Sequence, residues 1–86
     1  MSVINVGFQL VSIDPSEVKG LGRDGIGEIP VNDGGSLADA MRMVGLAPDK
    51  PFMTLVNGDP IAPENRDNKV LNDGDQIAVF PPIEGG

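Results

Sequence analysis

The sequence contains neither cysteine nor histidine among its 86 residues. Without cysteine it can form no disulfide framework, and it offers neither a thiolate nucleophile nor a sulfur ligand for zinc. Without histidine, acid–base catalysis would rest on carboxylates, lysine or serine alone, and the usual ligands of transition metals are missing. We therefore expect neither catalytic residues nor a metal site, and we do not expect an enzyme.

Basic residues and long apolar runs are also scarce. Six Lys and Arg residues stand against thirteen Asp and Glu residues, which gives a formal net charge of −7. Such a field repels phosphate backbones and attracts basic protein surfaces, so we expect no nucleic acid partner. No segment reaches the ~18 consecutive apolar residues of a membrane span, and the N-terminus lacks the features of a signal peptide. We expect no membrane association and a cytoplasmic location.

The residues that are present predict one small domain with a sheet. Alternating or β-rich runs predict strands at these positions: 3–13, about 26–31, 52–56, 60–61, around 69–71, and 76–80. Pro30 cannot donate a ladder hydrogen bond, so it places the second strand at a sheet edge or ends it early. Because 52–56 is apolar at nearly every position, we expect this strand, including Met53, to be buried.

One amphipathic helix is predicted after the turn at 32–35. Ser36 and Asp39 have the spacing of a capping box, and Gly45 is a natural helix stop. The apolar stripe of the helix consists of Leu37, Ala40, Met41 and Val44. A single helix with one apolar stripe must pack on one face of a sheet, so the fold class is α+β.

Two further patterns are better explained as turns and loops. The run at 20–25 matches G-x-G-x-x-G, but no strand leads directly into it and a strand rather than a helix follows. The acidic residues around Asp73 and Asp75 do not have the ligand spacing of a calcium loop. We expect no dinucleotide site and no metal site from either pattern.

The sequence ends on VFPPIEGG, residues 79–86. Two prolines are stiff and extended, and they project the following residues away from the last strand. Glycines lack a Cβ and can enter a channel too narrow for any side chain. At the end of such a channel, the carboxylate of Gly86 would need activation, for which attack on the α-phosphate of ATP is the expected route. A sulfur donor or an amine would then displace AMP, with all catalytic groups on the partner.

The order of elements, the NDGDQIAVF segment and the PPIEGG ending together resemble the β-grasp, ubiquitin-like sulfur carriers. The resemblance is strongest to the small subunit of molybdopterin synthase, and the thiamine-pathway sulfur carrier and ubiquitin are more distant relatives. It implies a mixed sheet of four to five strands with one main helix. It also implies a β-grasp domain over residues 1–80 and an extended tail over residues 81–86.

The resemblance also implies a function in which Gly86 becomes a thiocarboxylate. A ubiquitin-activating type adenylyltransferase would use ATP to adenylylate Gly86, and a sulfur donor protein would supply the sulfur. The large subunit of molybdopterin synthase would then receive it for a pterin precursor, with no cofactor bound to the carrier itself. Phe80 would dock on these partners, and the segment threading into them would comprise Pro81, Pro82, Ile83, Glu84 and Gly85.

Three other interpretations stay open. The connection over 14–25 is long and the stretch from Gly45 to Phe52 is short for a typical molybdopterin synthase subunit, so the pathway is not fixed. The same chemistry would serve a carrier for thiamine or cysteine biosynthesis. Alternatively, the chain is a ubiquitin-like modifier joined through Gly86 to lysines, or an interaction module whose terminal glycines are inert.

Overall fold

The computed structural model describes residues 2–13, 18, 21, 22 and 24–81. Their regular elements are β1 (Val3–Leu10), β2 (Ile26–Asn32), α1 (Leu37–Val44), β3 (Met53–Val56), β4 (Asp59–Ile61) and β5 (Gln76–Phe80). The strands form one sheet in the order β2-β1-β5-β3-β4. The central pair β1–β5 is parallel and the other pairs are antiparallel. The predicted α+β fold, with four to five strands and one main helix, is confirmed.

The core lies between α1 and one face of the sheet. Alternate residues of β1 are buried, and they include Val6 and Phe8, which are 0% and 1% exposed. The predicted helix stripe, Leu37, Ala40, Met41 and Val44, is equally buried. A period of two in the strands and of about 3.6 in the helix thus brings two apolar surfaces together, and their burial provides the main stabilisation of the fold.

Both ends of α1 follow the predicted capping chemistry. The Ser36 hydroxyl accepts a hydrogen bond from the Asp39 backbone N–H at 3.2 Å, and the Ser36 N–H donates to the Asp39 carboxylate at 3.0 Å. At the other end Gly45 is left-handed, with φ 90°. The Leu46 N–H then bonds to the Met41 carbonyl at 2.8 Å and turns buried Leu46 back onto the core. The helix therefore begins and ends where the sequence predicts.

Each outer strand of the sheet carries a proline that removes no ladder bond. The Leu10 N–H donates to the Gly25 carbonyl, and the Asp33 N–H donates to the Ser2 carbonyl. These two bonds flank β2, and because ladder bonds alternate along an antiparallel pair, the odd-numbered residues of β2 are the ones that bond to β1. Pro30 lies opposite Asn5, where an N–H would point away from the sheet. Pro60, opposite Leu55 in β4, has the same place at the other edge. The predicted edge position of β2 is confirmed, although the strand continues past Pro30 to Asn32.

Three details of the predicted strands are wrong. The first strand ends at Leu10 rather than at residue 13, and Ser12 has φ 59°, which an extended strand does not adopt. The strand expected around 69–71 is a single bridge between Val70 and Ser36, because this segment bonds to the start of α1 instead of the sheet. Met53 is 39% exposed rather than core, because only one face of β3 is covered.

The segment at 62–68 contains a single 3-10 turn at Pro63–Asn65. The glycine-rich run at 20–25 lies partly outside the described residues, and Gly25 leads directly into β2, as the loop interpretation requires. Within the part of the chain that the structure describes, no helix is both long and apolar enough to cross a bilayer.

Candidate docking face and tail attachment

The strand that leads to the predicted tail lies in the middle of the sheet. β5 is flanked by β1 and β3, and its residues Ile77 and Val79 are buried in the core. Phe80 and Pro81 follow, both half-buried, and Pro81 is the last residue described at this end. Five predicted tail residues lie outside the described part: Pro82, Ile83, Glu84, Gly85 and Gly86. Their roles, and the division into domain 1–80 and tail 81–86, stay predictions.

The face of the sheet opposite α1 bears an apolar patch that no described segment covers. The strand register places Ala78 between Gln9 and Leu55, and it places Phe80 beside Met53. We call the following side chains the open-face patch: Ile26, Met53, Leu55, Pro60, Ala78 and Phe80. Ile26 is 51% exposed and Met53 39%. A shallow groove of about 190 Å³ runs beside Ala78 between Ile26 and Leu55.

The open-face patch reaches the end of β5 that Phe80 occupies. A partner that covers it would bury apolar area and would stand next to Pro81, where the predicted tail begins. The only described member of the predicted threading segment is Pro81, and both Pro81 and Phe80 are half-buried. The sequence analysis names Phe80 as a docking residue, which stays a prediction, and it does not single out the rest of the patch, because strand pairing rather than sequence proximity assembles it.

The opposite end of β5 is held by polar groups. The buried Asp75 carboxylate accepts from the Asn57 side-chain amide at 2.9 Å and from the Asn72 backbone N–H at 2.8 Å. The Asn57 side-chain oxygen accepts from the Gln76 N–H at 2.9 Å. On the β1 side, the Asp73 carboxylate accepts from the Asn5 N–H at 2.8 Å. These bonds fix the register of β5 against both of its neighbours.

A buried arginine that the sequence analysis missed organises the connection from α1 to β3. Arg66 is 1% exposed, and its guanidinium donates to the carbonyls of Pro48, Lys50 and Phe52 and to the Thr54 hydroxyl. Burial lowers the pKa of Arg66, partly offset by the charge of Glu64. Arg66 thereby holds the chain that leads into Met53. No local pattern signals this role, because its acceptors, three backbone carbonyls and one hydroxyl, lie 12 to 18 residues away.

None of the six residues that define the open-face patch carries an ionisable side chain. Residues 2–13, 18, 21, 22 and 24–81 contain no cluster of three acidic side chains that could hold a metal ion. Arg42 bonds to Asp39 at 3.1 Å and Asp67 at 3.3 Å, but all three are exposed on the other side of the domain.

A family model identifies the relatives of the chain. The model of the ThiS family matches residues 20–86. The chain belongs to the ThiS family. Comparison with curated proteins gives no match. The match includes β2 to β5, the open-face patch and the whole predicted tail segment.

Solved structures share the fold of this ThiS-family chain. The solution structure of the Haloferax volcanii HVO 2177 protein has 26% identity and a TM-score of 0.74, over 98% of this chain and 88% of that one. The H. volcanii small archaeal modifier protein 1 has 22% identity and a TM-score of 0.66, over 93% and 99%. Urm1 from Trypanosoma brucei has 18% identity and a TM-score of 0.59, over the full length of both chains.

These comparisons confirm the predicted family. The ThiS-family chain is a ubiquitin-like β-grasp protein of the sulfur carrier family. The homologues of this family are small ubiquitin-like proteins that are not catalysts themselves. The particular resemblance to the molybdopterin synthase small subunit is not tested by these matches and stays a prediction.

Proposed function

We propose that this protein carries sulfur as a thiocarboxylate on Gly86 and donates it in molybdenum or tungsten cofactor biosynthesis. The observation that carries the proposal is the continuity of β5. The central strand contributes Ala78 and Phe80 to the open-face patch and leads at once into the PPIEGG segment. A partner docked on the patch would thus meet the segment that holds the reactive group.

The proposed chemistry needs two steps on Gly86. A carboxylate oxygen attacks the α-phosphate of ATP, pyrophosphate leaves, and an acyl-adenylate forms. A donor protein then supplies sulfur at the oxidation level of hydrosulfide, which attacks the acyl carbon and displaces AMP, and the product is a thiocarboxylate formed without a change of oxidation state. Because the chain has no cysteine or histidine, a ubiquitin-activating type adenylyltransferase supplies the catalytic groups and binds the ATP. The large subunit of molybdopterin synthase is the proposed acceptor of the sulfur.

The negative charge of the chain supports a protein partner whose binding site is surrounded by basic residues. The net charge of −7 attracts a basic protein surface, and the apolar patch provides area to bury at its centre. Rim charges chiefly raise the association rate, whereas apolar anchors dominate affinity. Within this scheme Phe80 and Met53 are the anchors beside the tail.

Intact mass spectrometry tests the chemistry. With the activating enzyme, ATP and a sulfur source, the mass should rise by the difference between sulfur and oxygen, and the change should map to Gly86. Deleting Gly86, or adding one residue after it, should abolish the change while leaving the thermal unfolding midpoint unaltered. Undiminished sulfur transfer after either edit would exclude the mechanism.

A matched pair of methionine variants tests the docking face. Met53→Glu places a charge in the open-face patch, whereas Met43→Glu places the same charge on the exposed surface of α1, where Met43 is 49% exposed. Met53→Glu should raise the concentration needed for half-maximal charging by roughly tenfold, because a hot-spot contact is lost. Met43→Glu should leave it unchanged. Equal effects of the two variants would contradict docking through this face.

The receiving pathway is tested by the protein that co-purifies with the chain. Recovery of a large molybdopterin synthase subunit is expected, and recovery of a thiazole synthase would instead support the thiamine-pathway alternative. A protein modifier is the second candidate, since an amine in place of sulfur gives an amide from the same adenylate. The shared fold with H. volcanii small archaeal modifier protein 1 favours testing it. Lysine peptides branched with the tail sequence would be its signature.

A further inference from the structure

The turn between β3 and β4 contains the one Asn–Gly pair of the sequence, Asn57–Gly58. Both residues have positive φ, 52° and 85°, as a two-residue type I′ hairpin turn requires. Both are exposed. A Cβ built on Gly58 would meet nothing within 4 Å, so no neighbouring group crowds the turn on that side of Gly58.

We propose that Asn57 is a site of spontaneous deamidation whose product releases the start of β5. The deprotonated backbone nitrogen of Gly58 attacks the side-chain carbonyl carbon of Asn57, a C–N bond forms, and the Asn57 side-chain nitrogen leaves as ammonia. Water then opens the five-membered imide at either carbonyl, which yields aspartate or isoaspartate. The reaction consumes only water, and it is independent of the proposed sulfur chemistry.

The folded turn opposes this reaction because it uses the atoms that the reaction changes. The Asn57 side-chain nitrogen donates to Asp75 at 2.9 Å, and its side-chain oxygen accepts from the Gln76 N–H at 2.9 Å. The Asn57 N–H also donates to the Gln76 carbonyl at 2.7 Å. Since ring closure expels the nitrogen bound to Asp75, these bonds must break, and the reaction proceeds from molecules in which the turn has opened.

The product cannot restore the lost contact. An aspartate at position 57 has no hydrogen to donate, and its carboxylate would face Asp75, which is 8% exposed. Two carboxylates at hydrogen-bond distance repel, and burial of Asp75 weakens solvent screening. Isoaspartate also lengthens the backbone of a two-residue loop. Either product therefore loosens the end of β5 that sets its register, and β5 is the strand that continues to Phe80 and Pro81.

Peptide mapping after incubation at mildly alkaline pH tests the site. Asn57 should deamidate faster in denaturant than in the folded protein, and Asp75→Ala should accelerate the reaction in the folded protein. No deamidation at Asn57 in the unfolded chain, or equal rates in the folded and unfolded chains, would overturn the proposal. If the Asp75→Ala variant does not fold, the double variant Asn57→Asp with Asp75→Asn, a reciprocal exchange of the two side chains, tests the same contact.

The reciprocal exchange also tests the consequence. Asn57→Asp should raise the unfolding equilibrium constant at neutral pH by roughly 10- to 100-fold, the effect of losing a hydrogen bond to a charged group. Adding Asp75→Asn should reverse most of this, because the new amide can donate to the carboxylate introduced at position 57 while its oxygen still accepts from the Asn72 N–H. An Asn57→Asp variant as stable as wild type, or an exchange that fails to rescue it, would contradict the proposed role of this contact.

Discussion

On the helix-covered face of the sheet, β1 presents Val6 and Phe8 fully buried, whereas the opposite face presents Ile26 and Met53 to solvent. The two faces are made by the same strands, and one residue of register separates them. Apolar residues on the covered face are buried by the domain itself and stabilise it. Apolar residues on the open face add little to the stability of the free protein, which leaves their burial available for binding. The expected effects of mutation follow from this difference.

The largest expected contrast is between two phenylalanines. Phe8→Ala removes a buried side chain of the covered face and should lower the free energy of unfolding by about 3–5 kcal/mol. Phe80→Ala, on the open face, should lower it by only about 1 kcal/mol, because Phe80 is half-buried in the free protein. Chemical denaturation measures both, and Phe80→Ala should also impair charging by the activating enzyme. Similar destabilisation by the two variants would remove the distinction between the faces.

Two arginines provide the next contrast. Arg66→Leu keeps apolar volume but leaves the carbonyls of Pro48, Lys50 and Phe52 without their donor, which should cost about 2–4 kcal/mol. Arg42→Leu breaks only exposed ion pairs with Asp39 and Asp67, and should cost about 0.5 kcal/mol or less. Thermal and denaturant unfolding of both variants measure the difference. If Arg66→Leu were as stable as wild type, water would be able to replace the guanidinium as the donor to these carbonyls.

The smallest effect concerns the helix cap and depends on pH. The Ser36 backbone hydrogen bond is the main cause that holds the pKa of Asp39 below its ordinary value of 3.8, assisted by the Ser36 hydroxyl and Arg42. A carboxyl group whose pKa is lower in the folded state stabilises the fold at pH values above its ordinary pKa. This contribution is lost as the pH falls through the folded-state pKa. Asp39→Asn should therefore cost about 0.3–1 kcal/mol at neutral pH and nothing in acid.

The control for the cap is Asp59→Asn, which changes an exposed carboxylate of β4 far from the helix. Its stability at neutral pH should be within about 0.5 kcal/mol of wild type, as expected for an exposed surface substitution. If Asp39→Asn were equally destabilising above and below the folded pKa, its effect would come from geometry rather than from charge.

Local patterns sufficed wherever neighbouring residues decide the structure. The Ser36–Asp39 capping box, the Gly45 stop and the alternation in β1 were predicted correctly, because caps and periodicity act within one turn or one strand. Pro30 was placed at an edge for a local reason as well, its missing N–H. The family itself was predicted from the NDGDQIAVF and PPIEGG segments together with the order of elements.

Long-range contacts were beyond such patterns. Met53 lies in an apolar run and looked buried, but burial depends on whether another layer covers that face. Arg66 gave no signal because its acceptors are carbonyls that the fold brings to it. The expected strand at 69–71 failed for the same reason, since Val70 pairs with Ser36 rather than with the sheet.

By itself, therefore, the sequence determined the helix with its caps and the strand alternation, since each depends on residue type and close spacing. Only the tertiary structure decided which face stays open, which residues meet there, and that Asn57 and Asp75 hold the start of β5. Those features arise from strand pairing between distant segments, whose register is set by the whole packed domain.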